Sequence, residues 1–196
     1  MYRTTGIIGA ALGLTVAALT VVPAHGADRG KVDRGTAEAI RDALSAAPES
    51  VARHATVYDW PAHPGSDMPV LRHGTNGWSC LPDDPTTPTD DPQCLNAGGM
   101  AWMDAFMKHR APHLSSPGLA YVLQGCSVAS NTDPFAEHPA AGSHWIRTGP
   151  HVMVFPTGRL DRRTYGTDPS TGQPYIRWAG TPWEHLVVPV SATGAG

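Results

Sequence analysis

The chain has 196 residues and a formal net charge of −3 at pH 7, with 41% hydrophobic residues, 21 glycines and 19 prolines. The mild negative charge argues against a nucleic-acid partner, which would require a basic face or stripe. The many prolines predict short strands, few helices and long loops, because proline is costly inside helices and central strands.

The first 26 residues have the pattern of a secretory signal peptide. Arg3 is the only charged residue among them, residues 6–22 are apolar, and small residues surround a cleavage point after Gly26. An uncleaved membrane anchor is the alternative, because the apolar run is slightly long for a leader. We therefore expect a secreted or periplasmic protein. Its mature chain, residues 27–196, would form one domain with no stable membrane span after cleavage.

Patterns along the chain predict two helices and five or six short strands. Residues 33–47 carry apolar residues at three-to-four spacing, as an amphipathic helix does, and a second helix is expected from residue 99 or 100 to 109. Residues 79–93 are almost entirely turn-forming. Strand patterns occur at 52–60, 70–74, 118–123, 151–155, 175–178 and 185–188. These elements predict a single α+β domain with a small, mostly antiparallel sheet and long loops rich in proline and glycine.

Two of the three cysteines bracket the turn-forming segment. Cys80 and Cys94 enclose 13 residues, and an exported protein meets an oxidising environment in which cysteines pair. We therefore expect a disulfide between Cys80 and Cys94. Such a bond would contribute roughly 3 kcal/mol to stability by restricting the unfolded chain.

The third cysteine, Cys126, is left without a partner in this scheme. A leftover cysteine is a candidate nucleophile when a histidine lies nearby in space. The structural alternative is a small buried residue at a strand end. No local cysteine-protease signature surrounds Cys126, and an exposed reactive thiol would oxidise outside the cell. The sequence therefore favours the buried thiol.

Seven blocks of sequence, found in this order, form a recognisable set. The set resembles a family of hypothetical exported bacterial proteins in which these blocks recur, across roughly residues 52–189. That family has no established activity, so the resemblance implies no catalytic residue. It does imply the Cys80–Cys94 pair, and it marks Cys126 as a departure of this chain. The blocks are 74–83 (GTNGWSCLPD), 91–94 (DPQC), 102–104 (WMD), 121–125 (YVLQG), 129–134 (ASNTDP), 149–153 (GPHVM) and 180–189 (GTPWEHLVVP).

Two histidines open predicted strands within these blocks, His151 after Gly-Pro and His185 after Thr-Pro-Trp-Glu. If the two strands pair, both imidazoles would lie at one sheet edge, where loop residues Asn131 and Asp133 would complete a cluster of nitrogen and oxygen ligands. Two histidines and a carboxylate suit a divalent metal such as zinc or iron. We therefore predict that these residues bind a metal ion or another small molecule.

The same residues support a catalytic alternative, a small metal-dependent or acid–base hydrolase. His151 as general base, with Asp133 as its orienting carboxylate, would activate water or a substrate hydroxyl. The structural alternative is that Asn-Thr-Asp-Pro at 131–134 is a turn whose side chains bond nearby backbone amides. No serine-hydrolase elbow, phosphate-binding loop or dinucleotide fingerprint occurs in the chain.

Tryptophans provide a third kind of candidate site. Their faces, flanked by Asp, Asn and His, could stack on sugar rings or other flat ligands, and Trp183 is the candidate ligand contact. The alternative is that most of them fill the core, since the chain has only three phenylalanines. The six are Trp60, Trp78, Trp102, Trp145, Trp178 and Trp183.

Overall fold

The computed structural model describes residues 26–63 and 65–190. The predicted signal peptide, residues 1–26, lies outside this part of the chain except for its last residue. Across the described residues, no helix has both the length and the apolar character needed to span a bilayer.

Ten short strands account for the β structure of the described chain. They are β1 (Thr56–Tyr58), β2 (Val70–Arg72), β3 (Ser79–Leu81), β4 (Gln93–Leu95), β5 (Gly118–Val122), β6 (Cys126–Val128), β7 (Ile146–Thr148), β8 (His151–Phe155), β9 (Tyr175–Arg177) and β10 (His185–Pro189). Eight of them form one sheet in the order β2-β1-β3-β4-β5-β8-β10-β9, in which only the β1–β3 pair is parallel. β6 and β7 form a separate antiparallel pair.

The helices are α1 (Gly26–Ser45), the single turn α2 (Glu49–Ala52) and α3 (Ala97–Met107), with one 3₁₀ turn at Pro169–Thr171. Asn96 caps α3, because its side-chain oxygen accepts a hydrogen bond of 2.8 Å from the backbone N–H of Gly99. The predicted α+β class with a mostly antiparallel sheet is therefore confirmed.

Each face of the sheet packs against a different helix. On one face, Ala43 of α1 and the alanines that follow this helix pack with Val57 and with the disulfide-bonded Cys80 and Cys94. On the other face, Trp102 of α3 packs with Leu95 and Phe155. Because successive residues of a strand point to opposite faces, His151 lies on the same face of the sheet as Phe155, the face that packs against α3.

The predicted disulfide is present between Cys80 and Cys94, which stand opposite each other in the antiparallel β3–β4 pair. The prediction that residues 79–93 are almost entirely turn-forming was wrong at its ends, because residues 79–81 belong to β3 and Gln93 opens β4. The closed loop also touches β6, since the hydroxyl of Thr89 lies 2.8 Å from that of Ser127.

Two other local predictions need correction. The strand predicted over residues 52–60 is limited to β1, because Pro48 starts the extra helical turn α2, whose backbone bonds run to the Pro48 carbonyl oxygen. The pair β6–β7 was not predicted, because each strand has three residues and neither shows a clear alternation.

Candidate active site

Cys126 opens β6 directly after a tight turn at the end of β5. Gly125 in that turn has φ = 88°, a left-handed conformation that favours glycine. A Cβ atom at Gly125 would lie 2.6 Å from the carbonyl oxygen of Thr148. This close approach brings Cys126 opposite Thr148 in the β6–β7 pair, where the cysteine is partly exposed.

His151 faces the thiol of Cys126. Its Nε2 lies 3.8 Å from Sγ, and its Nδ1 lies 2.7 Å from the carbonyl oxygen of Gly149. Because a carbonyl only accepts hydrogen bonds, Nδ1 carries the proton of the neutral imidazole, and Nε2 is free to take the thiol proton. A nucleophile, an adjacent base and a third group that orients the base are the elements of covalent catalysis.

Arg177 lies on the other side of the sulfur. Its guanidinium donates to Sγ of Cys126 at 3.5 Å, and also to the hydroxyls of Thr148 at 2.8 Å and Tyr175 at 2.7 Å. These two hydroxyls lie 3.0 Å apart. Arg177 is 2% exposed, and the ion pairs formed between described residues do not include it. A buried cation is thus held in place by two hydroxyls and directed at a sulfur atom.

These neighbours make Cys126 acidic. Burial by itself would raise the pKa of the thiol, but the charge of Arg177, followed by that of His151 and by hydrogen bonds from both, lowers the pKa of Cys126 to about 6. The thiolate in turn raises the pKa of Arg177 against the opposing effect of burial. Cys126 is therefore mainly thiolate at neutral pH, which is the nucleophilic form of cysteine.

A buried carboxyl group lies close to this cluster. Asp91 is 8% exposed. Burial raises its pKa to about 7 in spite of hydrogen bonds from Thr87 and Asp84, and the charge of Cys126 adds to the rise. At neutral pH the carboxyl group is therefore partly protonated, which limits its repulsion of the thiolate.

His185 is buried beside the cluster but does not contact the sulfur. Its Nδ1 lies 3.1 Å from the carbonyl oxygen of Trp183, and its ring stands edge-on to Trp102 and Trp178 at 5.3 Å and 5.1 Å. Burial, with the charge of Arg177 as a second cause, lowers the pKa of His185 to about 3. His185 is therefore a neutral aromatic residue of the core.

The burial of His185 predicts that the free energy of unfolding depends on pH. The unfolded chain protonates His185 below about pH 6.5, whereas the folded protein does so only near pH 3. The contribution of neutral His185 to the free energy of unfolding is therefore fully present above pH 6.5. As the pH falls below 6.5, the free energy of unfolding decreases by about 1.4 kcal/mol for each pH unit. In urea unfolding at pH 7 and pH 4.5, the wild type should lose about 2–3 kcal/mol more than His185→Phe. Equal losses would contradict the assignment.

The structure does not gather the four residues predicted to bind a metal. β8 and β10 are antiparallel with His151 opposite Pro189, so His151 and His185 start from opposite ends of the paired strands rather than from one edge. Each histidine is held by its own backbone carbonyl. Within the described ranges, no group of three or more His, Cys, Asp or Glu residues could hold a metal ion. A shared zinc or iron site at these residues therefore has no support.

Residues 130–134 form a turn of the kind that the structural alternative predicts. The hydroxyl of Ser130 accepts from the backbone N–H of Asp133 at 2.9 Å, and Oδ1 of Asp133 accepts from that of Phe135 at 2.9 Å. Asn131 donates to the carbonyl oxygen of Thr167 at 2.7 Å. Asp133 therefore serves the local backbone, and the group that orients His151 is a backbone carbonyl.

The tryptophans are divided between core and surface. Trp102 and Trp178 are buried, and the other four are partly exposed. Trp183, the predicted ligand contact, donates through Nε1 to the carbonyl oxygen of Arg110 at 3.0 Å and stands edge-on to Phe135 at 4.6 Å. Its contacts within the described chain are structural.

Sequence reasoning missed Arg177, Thr148 and Tyr175, and it ranked Cys126 low. One available signal was the arginine inside the apolar strand pattern Tyr-Ile-Arg-Trp at 175–178, because an arginine at a buried strand position requires an anion or several acceptors.

Comparisons of the chain with models of protein families, with characterised proteins and with solved structures find no match. The resemblance to exported bacterial proteins stays a prediction, and function must be argued from the site.

Proposed function

We propose that the protein is a cysteine-dependent hydrolase or acyl transferase in which the thiolate of Cys126 is the nucleophile. The observation that carries this proposal is the buried guanidinium of Arg177, which donates to Sγ and takes part in none of the ion pairs of the described residues. A buried charge requires a compensating charge or strong hydrogen bonds. The thiolate of Cys126 is the anion that Arg177 contacts.

The proposed reaction has two chemical steps. In the first, the thiolate of Cys126 attacks the carbonyl carbon of an acyl substrate, the bond from that carbon to the leaving group breaks, and Nε2 of protonated His151 gives its proton to the leaving group. In the second, water or another acceptor attacks the thioester while His151 takes a proton from it. The carbon–sulfur bond then breaks, which releases the acyl product and restores the thiolate.

The remaining residues have positioning roles in this scheme. Thr148 and Tyr175 fix the guanidinium of Arg177, and the carbonyl of Gly149 fixes the ring of His151. The predicted leader and the Cys80–Cys94 disulfide both favour an extracytoplasmic, oxidising compartment.

A chromogenic acetyl ester tests the acyl-transfer step. On mixing with p-nitrophenyl acetate, the wild type should release a burst of p-nitrophenolate and acquire one acetyl group on Cys126, detected by mass spectrometry of peptides. Cys126→Ala should lose the burst and the acetyl group. His151→Gln should slow hydrolysis of the acetyl-enzyme by about 100-fold, because it removes the general base that takes a proton from water in the second step.

The exposed His144 provides a matched control. His144→Gln should retain the wild-type burst, and circular dichroism should show that all variants are folded. A burst of equal size in Cys126→Ala, or acetylation confined to lysine, would contradict the proposed function.

A further inference from the structure

Cys126 is the free thiol of the chain and the entry point to its site. The chain has three cysteines, and the disulfide between Cys80 and Cys94 leaves Cys126 free and partly exposed. The four residues of its hydrogen-bond network are all buried, namely Thr148, His151, Tyr175 and Arg177. A reagent therefore reaches this network at the cysteine, where a small molecule is sterically favoured.

Two neighbours of the sulfur are suited to different parts of one reaction, the cleavage of an oxygen–oxygen bond. As a thiolate attacks one oxygen, negative charge moves from the sulfur to the oxygen that leaves. Arg177, which donates to Sγ at 3.5 Å, is a fixed cation that stabilises this charge as it moves. His151, whose Nε2 lies 3.8 Å from Sγ, takes the thiol proton and can then give it to the leaving oxygen.

We propose that Cys126 reduces small hydroperoxides and that a low-molecular-weight thiol regenerates it. Accessible cysteines that are held as thiolates are the ones that peroxides oxidise to sulfenic acid. The Cys80–Cys94 disulfide favours an oxidising compartment, where oxidation is the reaction that a free thiolate meets. The activity uses the nucleophile of the proposed acyl transfer, but it needs neither an acyl substrate nor a thioester, so it does not depend on that function.

The first half of the reaction oxidises the cysteine. The thiolate of Cys126 attacks the terminal oxygen of the hydroperoxide, so that a sulfur–oxygen bond forms and the oxygen–oxygen bond breaks. The leaving alkoxide, or hydroxide when the substrate is hydrogen peroxide, takes the proton from Nε2 of His151. The sulfur is thereby oxidised by two electrons to sulfenic acid, and the hydroperoxide is reduced to an alcohol or to water.

The second half uses two molecules of an external thiol. The first displaces the hydroxyl group of the sulfenic acid, which leaves as water, and forms a mixed disulfide with Cys126. The second attacks the sulfur of the first, which releases a disulfide of the two thiols and restores the Cys126 thiolate, and its proton returns to His151. An external thiol is required because Cys80 and Cys94 are already bonded to each other and are 0% exposed.

The test compares the oxidation of Cys126 by hydrogen peroxide with that of N-acetylcysteine. Each second-order rate constant is measured from the loss of free thiol and is divided by the fraction of the thiol that is ionised. Because a less basic thiolate is the weaker nucleophile, Cys126 without help from its neighbours would react more slowly than N-acetylcysteine. We expect it to react at least about 100-fold faster. Dimedone should then trap the sulfenic acid on Cys126, as detected by mass spectrometry of peptides.

Variants separate the effect of Arg177 from the acidity of the thiol. Arg177→Met should lower the rate constant per thiolate by at least about tenfold, whereas Arg147→Met, at an exposed arginine that does not bond to the sulfur, should not. With 2-mercaptoethanol present, the wild type should consume more than one equivalent of peroxide, and Cys126→Ala should consume it no faster than the thiol alone. The comparison with N-acetylcysteine uses only the wild type, so it stands even if Arg177→Met does not fold.

A rate constant per thiolate no greater than that of N-acetylcysteine, or consumption that stops at one equivalent of peroxide, would overturn the proposal. The acetyl ester assay separates this result from the proposed function. A wild type that gives the p-nitrophenolate burst but is oxidised slowly would contradict only the peroxide reaction. Rapid oxidation without a burst would contradict only the acyl transfer.

Discussion

Replacing Arg177 with methionine should raise the pKa of the Cys126 thiol from about 6 to above about 8. Methionine retains an unbranched side chain but removes the positive charge, so the effect of burial, which raises the pKa, meets only the weaker opposing influence of His151. The measurement is the ultraviolet absorbance of the thiolate as a function of pH, with the Cys126→Ala curve subtracted.

The control for this substitution is Arg147→Met. Arg147 belongs to β7 and pairs with Ser127 next to the cysteine, but it is exposed and forms none of the hydrogen bonds to Sγ. Its replacement should leave the thiol titration near pH 6. An unchanged midpoint in Arg177→Met would show that the guanidinium does not stabilise the thiolate, and the proposed function would lose its main support.

Replacing Gly118 with alanine should destabilise the fold by about 3 kcal/mol. A Cβ atom at Gly118 would lie 2.7 Å from the carbonyl carbon of Gly98 and 2.7 Å from the backbone nitrogen of Gly99. The first turn of α3 and the start of β5 therefore touch backbone to backbone, and neither side can yield by a rotamer change. Urea unfolding of the two proteins measures the difference.

Gly35→Ala is the matched control, because it adds the same methyl group where nothing lies within 4 Å. Gly35 is exposed on α1, so alanine there should stabilise the helix by up to about 1 kcal/mol. A loss at Gly118 no larger than the change at Gly35 would be inconsistent with the tight contact between α3 and β5.

Much of the architecture could be predicted from local patterns. The strand at His151–Phe155 and the one beginning at His185 have the predicted positions, because their apolar residues are continuous and bounded by proline or glycine. The Cys80–Cys94 disulfide was predicted from the expected oxidising compartment and from the spacing of the two cysteines. By contrast, β3 and β4 have three residues each, which is too short for an alternating pattern to identify them.

The candidate site could not be predicted in the same way, because it depends on which strands pair and on the register of those pairs. His151 was recognised as a candidate base, but its partner Cys126 is 25 residues away in sequence, and Arg177 is 51 residues from that cysteine. Only the sheet order and the β6–β7 pair bring the three together. The predicted cluster of His151 with His185 has no support for the same reason. The sequence does not determine the register of β8 and β10, and their antiparallel register places the two histidines at opposite ends of the paired strands.

The acidity of Cys126 is tested most directly by the rate at which iodoacetamide alkylates it in the wild-type protein as a function of pH. Cys126 is the free cysteine, so alkylation reports on it alone. If Arg177 and His151 hold Cys126 as a thiolate, the half-maximal rate should lie near pH 6, because the thiolate is the reactive form. A half-maximal rate near about pH 8.5, the value of an ordinary thiol, would contradict the claim that Arg177 and His151 hold Cys126 as a thiolate.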